Sequence, residues 1–136
     1  MKVEVAVLAD YANVAEGGKL NVMGIFDRIS APAFPAQHAF MVLAFRLRME
    51  FEDRDSTNRT EIVLVDEDGK ALGGGTGEVR VGSIPPGQRS TVTQIIQFPG
   101  LRFEHPGEYR FRLMWNGVES CTIPLTLQQS LSPPST

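Results

Sequence analysis

Hydrophobic side chains recur at every second position along most of this chain, and no window sustains them at helical spacing over three turns. Because successive side chains of an extended backbone point to opposite faces, this pattern predicts strands that each bury one face. VEVAVLADYA (3–12) is the first. EGGKL (16–20) turns it into a second, LNVMGIFDRI, where Leu20, Val22 and Gly24 alternate with Asn21, Met23 and Ile25. A glycine inside a strand, here Gly24, marks a bulge or a close backbone approach.

After the proline-containing loop APAFPAQ, the segment AFMVLAFRLRMEFE (39–52) predicts the longest strand. Met41, Leu43, Phe45, Leu47, Met49 and Phe51 share one face, which must be core. On the other face Phe40, Val42 and Ala44 are apolar, whereas Arg46, Arg48, Glu50 and Glu52 are charged. The first half is therefore expected to be covered on both sides. Ala6 and Leu8 add to this apolar surplus, for which the loop SAPAFPAQHAF or a second subunit is the expected cover.

DRDSTN is a polar loop and TEIVLVDE a strand, with Asp68-Gly69 supplying the residue types of a tight type I′ turn. The return segment KALGGGTGEVRVG raises the question of phosphate binding. A phosphate loop needs its backbone N–H groups at the start of a helix, whereas these glycines run into a strand with no Lys-Ser or Lys-Thr after them. Gly73, Gly74, Gly75 and Gly77 are thus expected to shape an edge, twisted or bulged strand.

TVTQIIQF is a further strand whose alternation falters at Gln94, the expected place of a bulge. In the closing hairpin Tyr109, Phe111, Leu113 and Trp115 face one way, Asn116-Gly117 turns, and Cys121, Ile123, Leu125 and Leu127 continue the inward set. Pro124 cannot donate to a ladder, so its strand is expected at an edge or with a bulge. QQSLSPPST (128–136) is polar and rich in proline and serine, the composition of a disordered tail.

Seven or eight strands with short turns predict an all-β, antiparallel β-sandwich in a single domain over residues 1–127. The PGEY segment before a long penultimate strand resembles the tyrosine corner of immunoglobulin-like sandwiches. That resemblance implies a hydrogen bond from the Tyr109 hydroxyl to upstream backbone. Phe111 stands where antibody domains carry a cysteine, so an antibody-type domain is excluded. ADYANV, GKLNVMGIFDRI and HPGEYRFRLMWNGVE together resemble a family of small bacterial proteins of unknown function with an immunoglobulin-like fold, over about residues 3 to 127. The resemblance implies a fold and supplies no activity.

A chain of 136 residues can bury a core without staples. Its formal net charge of -3 gives no global attraction to nucleic acid or anionic lipid. The lone Cys121 cannot pair internally, which points to a reducing compartment, the cytoplasm. The apolar run behind Lys2 is interrupted by Glu4 and Asp10, so it reads neither as a signal peptide nor as a membrane span.

Candidate chemistry is sparse. Were the long and penultimate strands neighbours in one sheet, Arg46, Arg48, Arg110 and Arg112 would form a basic patch able to dock an acidic segment through bidentate contacts. Pairing with Glu50, Glu52, Glu108 and Glu119 is the competing explanation. Asp66, Glu67 and Asp68 in one loop, or Glu52, Asp53 and Asp55 in another, are the alternative calcium ligands, since loops at one end of a sandwich can converge on an ion. His38, His105 and Cys121 have no metal-ligand spacing, and no nucleophile with an adjacent base can be named. The expectation is a non-catalytic module without cofactor that binds a protein partner or itself as a homo-oligomer. A small-ligand or calcium-binding sandwich using the acidic loops is the rival.

Overall fold

The alternation is realised as nine strands: β1 (Lys2–Ala15), β2 (Lys19–Phe26), β3 (Arg28–Ala31), β4 (Ala36–Met49), β5 (Ser56–Val65), β6 (Ala71–Val81), β7 (Ser90–Phe103), β8 (Gly107–Trp115) and β9 (Val118–Gln129). The computed structural model describes residues 1–131. Among these the single helical element is a 3-10 turn at Phe51–Asp53. The strands form a four-stranded sheet in the order β2-β1-β4-β7 and a five-stranded sheet in the order β3-β9-β8-β5-β6. The five-stranded sheet curls into a half-barrel. Neighbours are antiparallel except β3 and β9, which run parallel.

The main core fills the space between the sheets. Met41, Leu43, Phe45, Leu47 and Met49 of β4 are fully buried there, with Leu64, Phe111, Leu113, Leu125 and Leu127 of the five-stranded sheet. Phe98 of β7 and Phe111 of β8 join the sheets, with ring centroids 5.2 Å apart. Phe103 and Tyr109 do the same edge-to-face at 5.1 Å, a favourable geometry for aromatic quadrupoles.

The PGEY segment forms its corner. Tyr109 is buried, and its hydroxyl donates to the His105 carbonyl oxygen at 2.6 Å. Burial raises the Tyr109 pKa above its ordinary value; the bond to His105 opposes this, and Asp66, Glu67 and Glu104 add to it. A phenol whose folded-state pKa is raised contributes stability that is complete below its unfolded pKa, about 10, and is lost as pH rises through the folded one. Tyr109→Phe is therefore expected to cost about 1 kcal/mol at neutral pH. It should also flatten part of the alkaline decline of the urea midpoint. Cys121, whose thiol is likewise pushed up, chiefly by burial, contributes in the same direction.

Several local expectations are corrected. LNVMGIFDRI is not one strand: the chain leaves the four-stranded sheet after Phe26, passes Asp27, and enters the five-stranded sheet at Arg28, pairing with β9. Phe51 does not continue the inward face of β4. It lies in the 3-10 turn, where the Arg54 guanidinium sits 3.8 Å from its ring centroid. The irregularity of β7 falls not at Gln94, where pairing with β4 is continuous, but at Gly100, which has φ +65°. Between β5 and β6 only Gly69 takes a positive φ, so the turn is not type I′. Instead Gly69 N–H closes a turn on the Asp66 carbonyl at 3.1 Å, and the Asp66 carboxylate accepts from the N–H groups of Asp68 and Lys70. The closing hairpin is as expected, with Asn116 and Gly117 at φ +50° and +83°. β9 runs through Gln129, two residues past the expected end of the domain, and the rest of the expected tail from residue 132 lies outside the described residues.

The edges follow the glycines and the proline. β6 ends the five-stranded sheet, and a Cβ on Gly74 would lie 1.9 Å from the Ile62 carbonyl oxygen, so no other residue fits there without moving β5. Pro124 lies just short of the stretch that β3 covers, which begins at Arg28 opposite Thr126. Its missing N–H thus leaves no ladder bond unmade on that side.

Candidate interaction surface

Sandwich geometry separates most of the candidate residues. β4 and β8 belong to different sheets, so Arg46 and Arg48 do not share a face with Arg110 and Arg112. The expected four-arginine patch does not exist. Arg46 pairs with Glu4 at 3.4 Å, Arg48 with Glu50 at 2.9 Å and Arg112 with Glu119 at 2.5 Å. The hydrogen bond from Arg112 holds the Glu119 carboxyl below the usual carboxylate range. These are exposed or half-exposed pairs, each worth little alone.

The alternative calcium ligands are also parted. Asp53 and Asp55 precede β5, and Asp66 and Asp68 follow it. The ten residues of that strand hold the two loops about 33 Å apart. Asp53 receives the Glu50 N–H at 2.8 Å and the amino group of Met1 at 3.0 Å, and Asp66 caps its own turn. Among the described residues no group of three His, Cys, Asp or Glu side chains could hold a metal ion. His105 packs on Tyr109, His38 on Phe26, and Cys121 lies on β9 opposite Leu113.

What the sequence left open is the apolar surplus on the outer face of β4. Ala9, Ala12, Val42 and Ala44 form a second buried cluster, with Val7, Leu20, Val22 and Ile95 packed against it. Leu8 and Ala12 have the same strand parity, yet Leu8 packs in the main core and Ala12 in the outer cluster. The β1–β2 hairpin must therefore bend away from β4 and fold back over the sheet. Its tip confirms this, because Val14, Gly17, Gly18 and Lys19 line a groove with Arg46, Thr91 and Thr93 of β4 and β7. The bend falls near Gly24, whose φ is +72°. So the expected cover, the loop SAPAFPAQHAF or a second subunit, is replaced by the chain's own hairpin.

Folding back buries one side of the hairpin and turns the other to solvent. Tyr11 and Met23, register partners, are 48% and 64% exposed, and Ile25, two residues along the edge strand, is 64% exposed. Asn13 and Asn21 continue the same side, their amides hydrogen-bonded at 3.0 Å. Large apolar groups scattered singly are ordinary on a surface, but Tyr11 and Met23, directly opposite one another across the hairpin, form an exposed apolar pair. In the sequence Met23 and Ile25 occupy the outward positions of an ordinary alternation, which hides their exposure. The signal was their size and apolarity at outward positions.

With this geometry in place, the model of a family of unknown function (DUF6941) matches residues 4–128. The chain belongs to that family. The match covers every strand from β1 to nearly the end of β9, so the membership describes the whole sandwich and not a motif within it. No curated protein matches the sequence. Among solved structures, the alkylpurine DNA glycosylase AlkC of Pseudomonas fluorescens, bound to DNA containing an abasic site analogue, is similar at 11% identity and a TM-score of 0.51. The likeness covers 93% of this chain and 30% of that one, so the DUF6941 chain spans less than a third of the glycosylase and shares fold alone with it. No helix of the described residues is long and apolar enough to cross a membrane.

Proposed function

We propose that this DUF6941 member is a non-catalytic interaction module, immunoglobulin-like in fold and cytoplasmic, that assembles with a second copy through the outward side of its β1–β2 hairpin. The observation that carries the reading is the exposure of Met23 and Ile25 on the edge strand β2 and of Tyr11 beside them on β1. Edge strands are commonly protected by charge, proline or a covering segment, and β2 beyond Lys19 has none of these along KLNVMGIF. A two-fold axis beside β2 would cover these side chains with their own copies, which is how most homo-oligomers close. The two-layer sheet arrangement and the Tyr109 corner support the immunoglobulin-like assignment. The unpaired Cys121 supports a reducing compartment.

A catalytic reading has less to stand on. The Cys121 thiol is held protonated by burial and by Glu119, the reverse of an activated nucleophile. DNA binding, which the similar glycosylase structure displays, needs unneutralised cations along the phosphate backbone. Here the arginines at 46, 48, 80, 102 and 112 each face a glutamate, and the formal net charge of -3 gives no global attraction to a polyanion.

Light scattering after size exclusion should give a mass above 15.0 kDa for the wild-type protein. The double variant M23E/I25K should return it to the monomer with an unchanged melting temperature, since both side chains are solvent-facing in the single chain. A wild type that stays monomeric at several hundred micromolar would sink the assembly reading.

A further inference from the structure

A cleft of about 300 Å³ opens where the chain crosses from one sheet to the other, lined by Asp10 of β1, Phe26 of β2, Arg28, Ile29 and Ser30 of β3, and His38 of β4. Its polar groups come from three strands of both sheets and are held in place. Gly24 makes room for the Asp10 carboxylate, since a Cβ there would meet Oδ2 at 2.4 Å. Arg28 donates from Nη1 to the Gln128 side-chain oxygen at 3.3 Å, and Gln128 in turn donates from Nε2 to Ser30 Oγ at 2.8 Å. Gln128 is a neutral partner, so it orients the guanidinium and leaves its charge uncompensated. Among the described residues neither Arg28 nor Asp10 takes part in an ion pair.

His38 supplies the further observation. Its Nε2 is buried and has no hydrogen-bond partner, while its ring packs at 5.9 Å against Phe26. A buried polar atom without a partner is costly, and such atoms concentrate where a ligand or water completes the set. A carboxylate and a guanidinium that line one cleft without pairing complement a ligand carrying both charges itself. Phe26 and Ile29 add an apolar wall, and the volume is at the small end of ligand sites.

We propose that this cleft binds a small zwitterion of α-amino-acid size. Its carboxylate lies on the Arg28 guanidinium, its ammonium lies on Asp10, and its side chain rests on Phe26 and Ile29. Neither Tyr11 nor Met23 lines the cleft, and the proposal holds whether the protein is a monomer or assembles.

The test is a titration of isotope-labelled protein with leucine, serine and glutamate in turn, following the His38 ring and the backbone amides of residues 26–30 by NMR. At least one of the three should produce saturable shifts at millimolar concentration. If leucine is the best, N-acetyl-leucine, which lacks the ammonium, and isopentylamine, which lacks the carboxylate, should each bind at least tenfold more weakly; the matching derivatives serve for the others. Arg28→Ser and Asp10→Asn should each weaken binding at least tenfold while the spectrum elsewhere stays that of the wild type. No saturation by any of the three amino acids, equal binding of the acetylated form, or unchanged affinity in either variant would overturn the proposal. Asp10→Asn changes one atom of a solvent-facing side chain, so it keeps the test decisive if Arg28→Ser disturbs the crossover.

Discussion

Val42→Asp is expected to cost about 3–5 kcal/mol of stability, the size of effect found when a buried charge is left without a partner. The expectation rests on the folded-back hairpin. Val42 points away from the main core, and on the outer face of an uncovered sheet the substitution would change stability by no more than about 0.5 kcal/mol. Here Val42 is 1% exposed, enclosed by Ala9, Ala44 and the returning Val22 and Leu20. An aspartate there gives up its water and finds no cation in the cluster. Urea unfolding followed by circular dichroism reads the loss directly, with Val42→Ala as the control for size. A near-neutral Val42→Asp would mean that the hairpin does not lie over β4.

Phe111→Ala should lose about 3–5 kcal/mol for a different reason, the removal of a large ring from a site that cannot collapse around the hole. Phe111 is fully buried at the centre of β8, with β5 on one side and β9 on the other. Its contact with Phe98 ties the central strand of one sheet to the edge strand of the other. Phe111→Leu, which keeps most of the volume, should recover more than half of the loss. Midpoints of thermal and urea unfolding for the pair of variants check this, and equal losses in both would show that shape at this site matters more than volume.

Much of the fold is legible in the sequence because alternation reports which face of a strand is buried. The inward sets of β4, β8 and β9, the Asn116-Gly117 turn and the Tyr109 corner all follow from residue type and period. Sheet membership does not follow, because a strand's alternation is the same whichever neighbour it pairs with. That is why Arg46 and Arg110 were expected on one face and stand on two. The crossover at Asp27 left no mark either: Phe26 and Arg28 continue an acceptable alternation while the backbone changes sheets. The apolar surplus around Val42 and Ala44 was visible as a surplus. Its cover was not, because a hairpin that bends near Gly24 reads in one dimension like any other hairpin with a bulge. The cleft at Asp10, Arg28 and His38 was invisible for a similar reason, since residues from three strands meet only once both sheets and the crossover exist.

The parallel pairing of β3 with β9 joins Ile29 to Leu127, 98 residues apart along the chain. A ribosome making this protein must therefore release the last strand before β3 can find its place, and until then one border of the five-stranded sheet stands open. Closing so distant a contact is slow, because chain entropy is lost before any bond is gained. Nascent or C-terminally shortened chains should thus depend on chaperones more than their modest size would suggest.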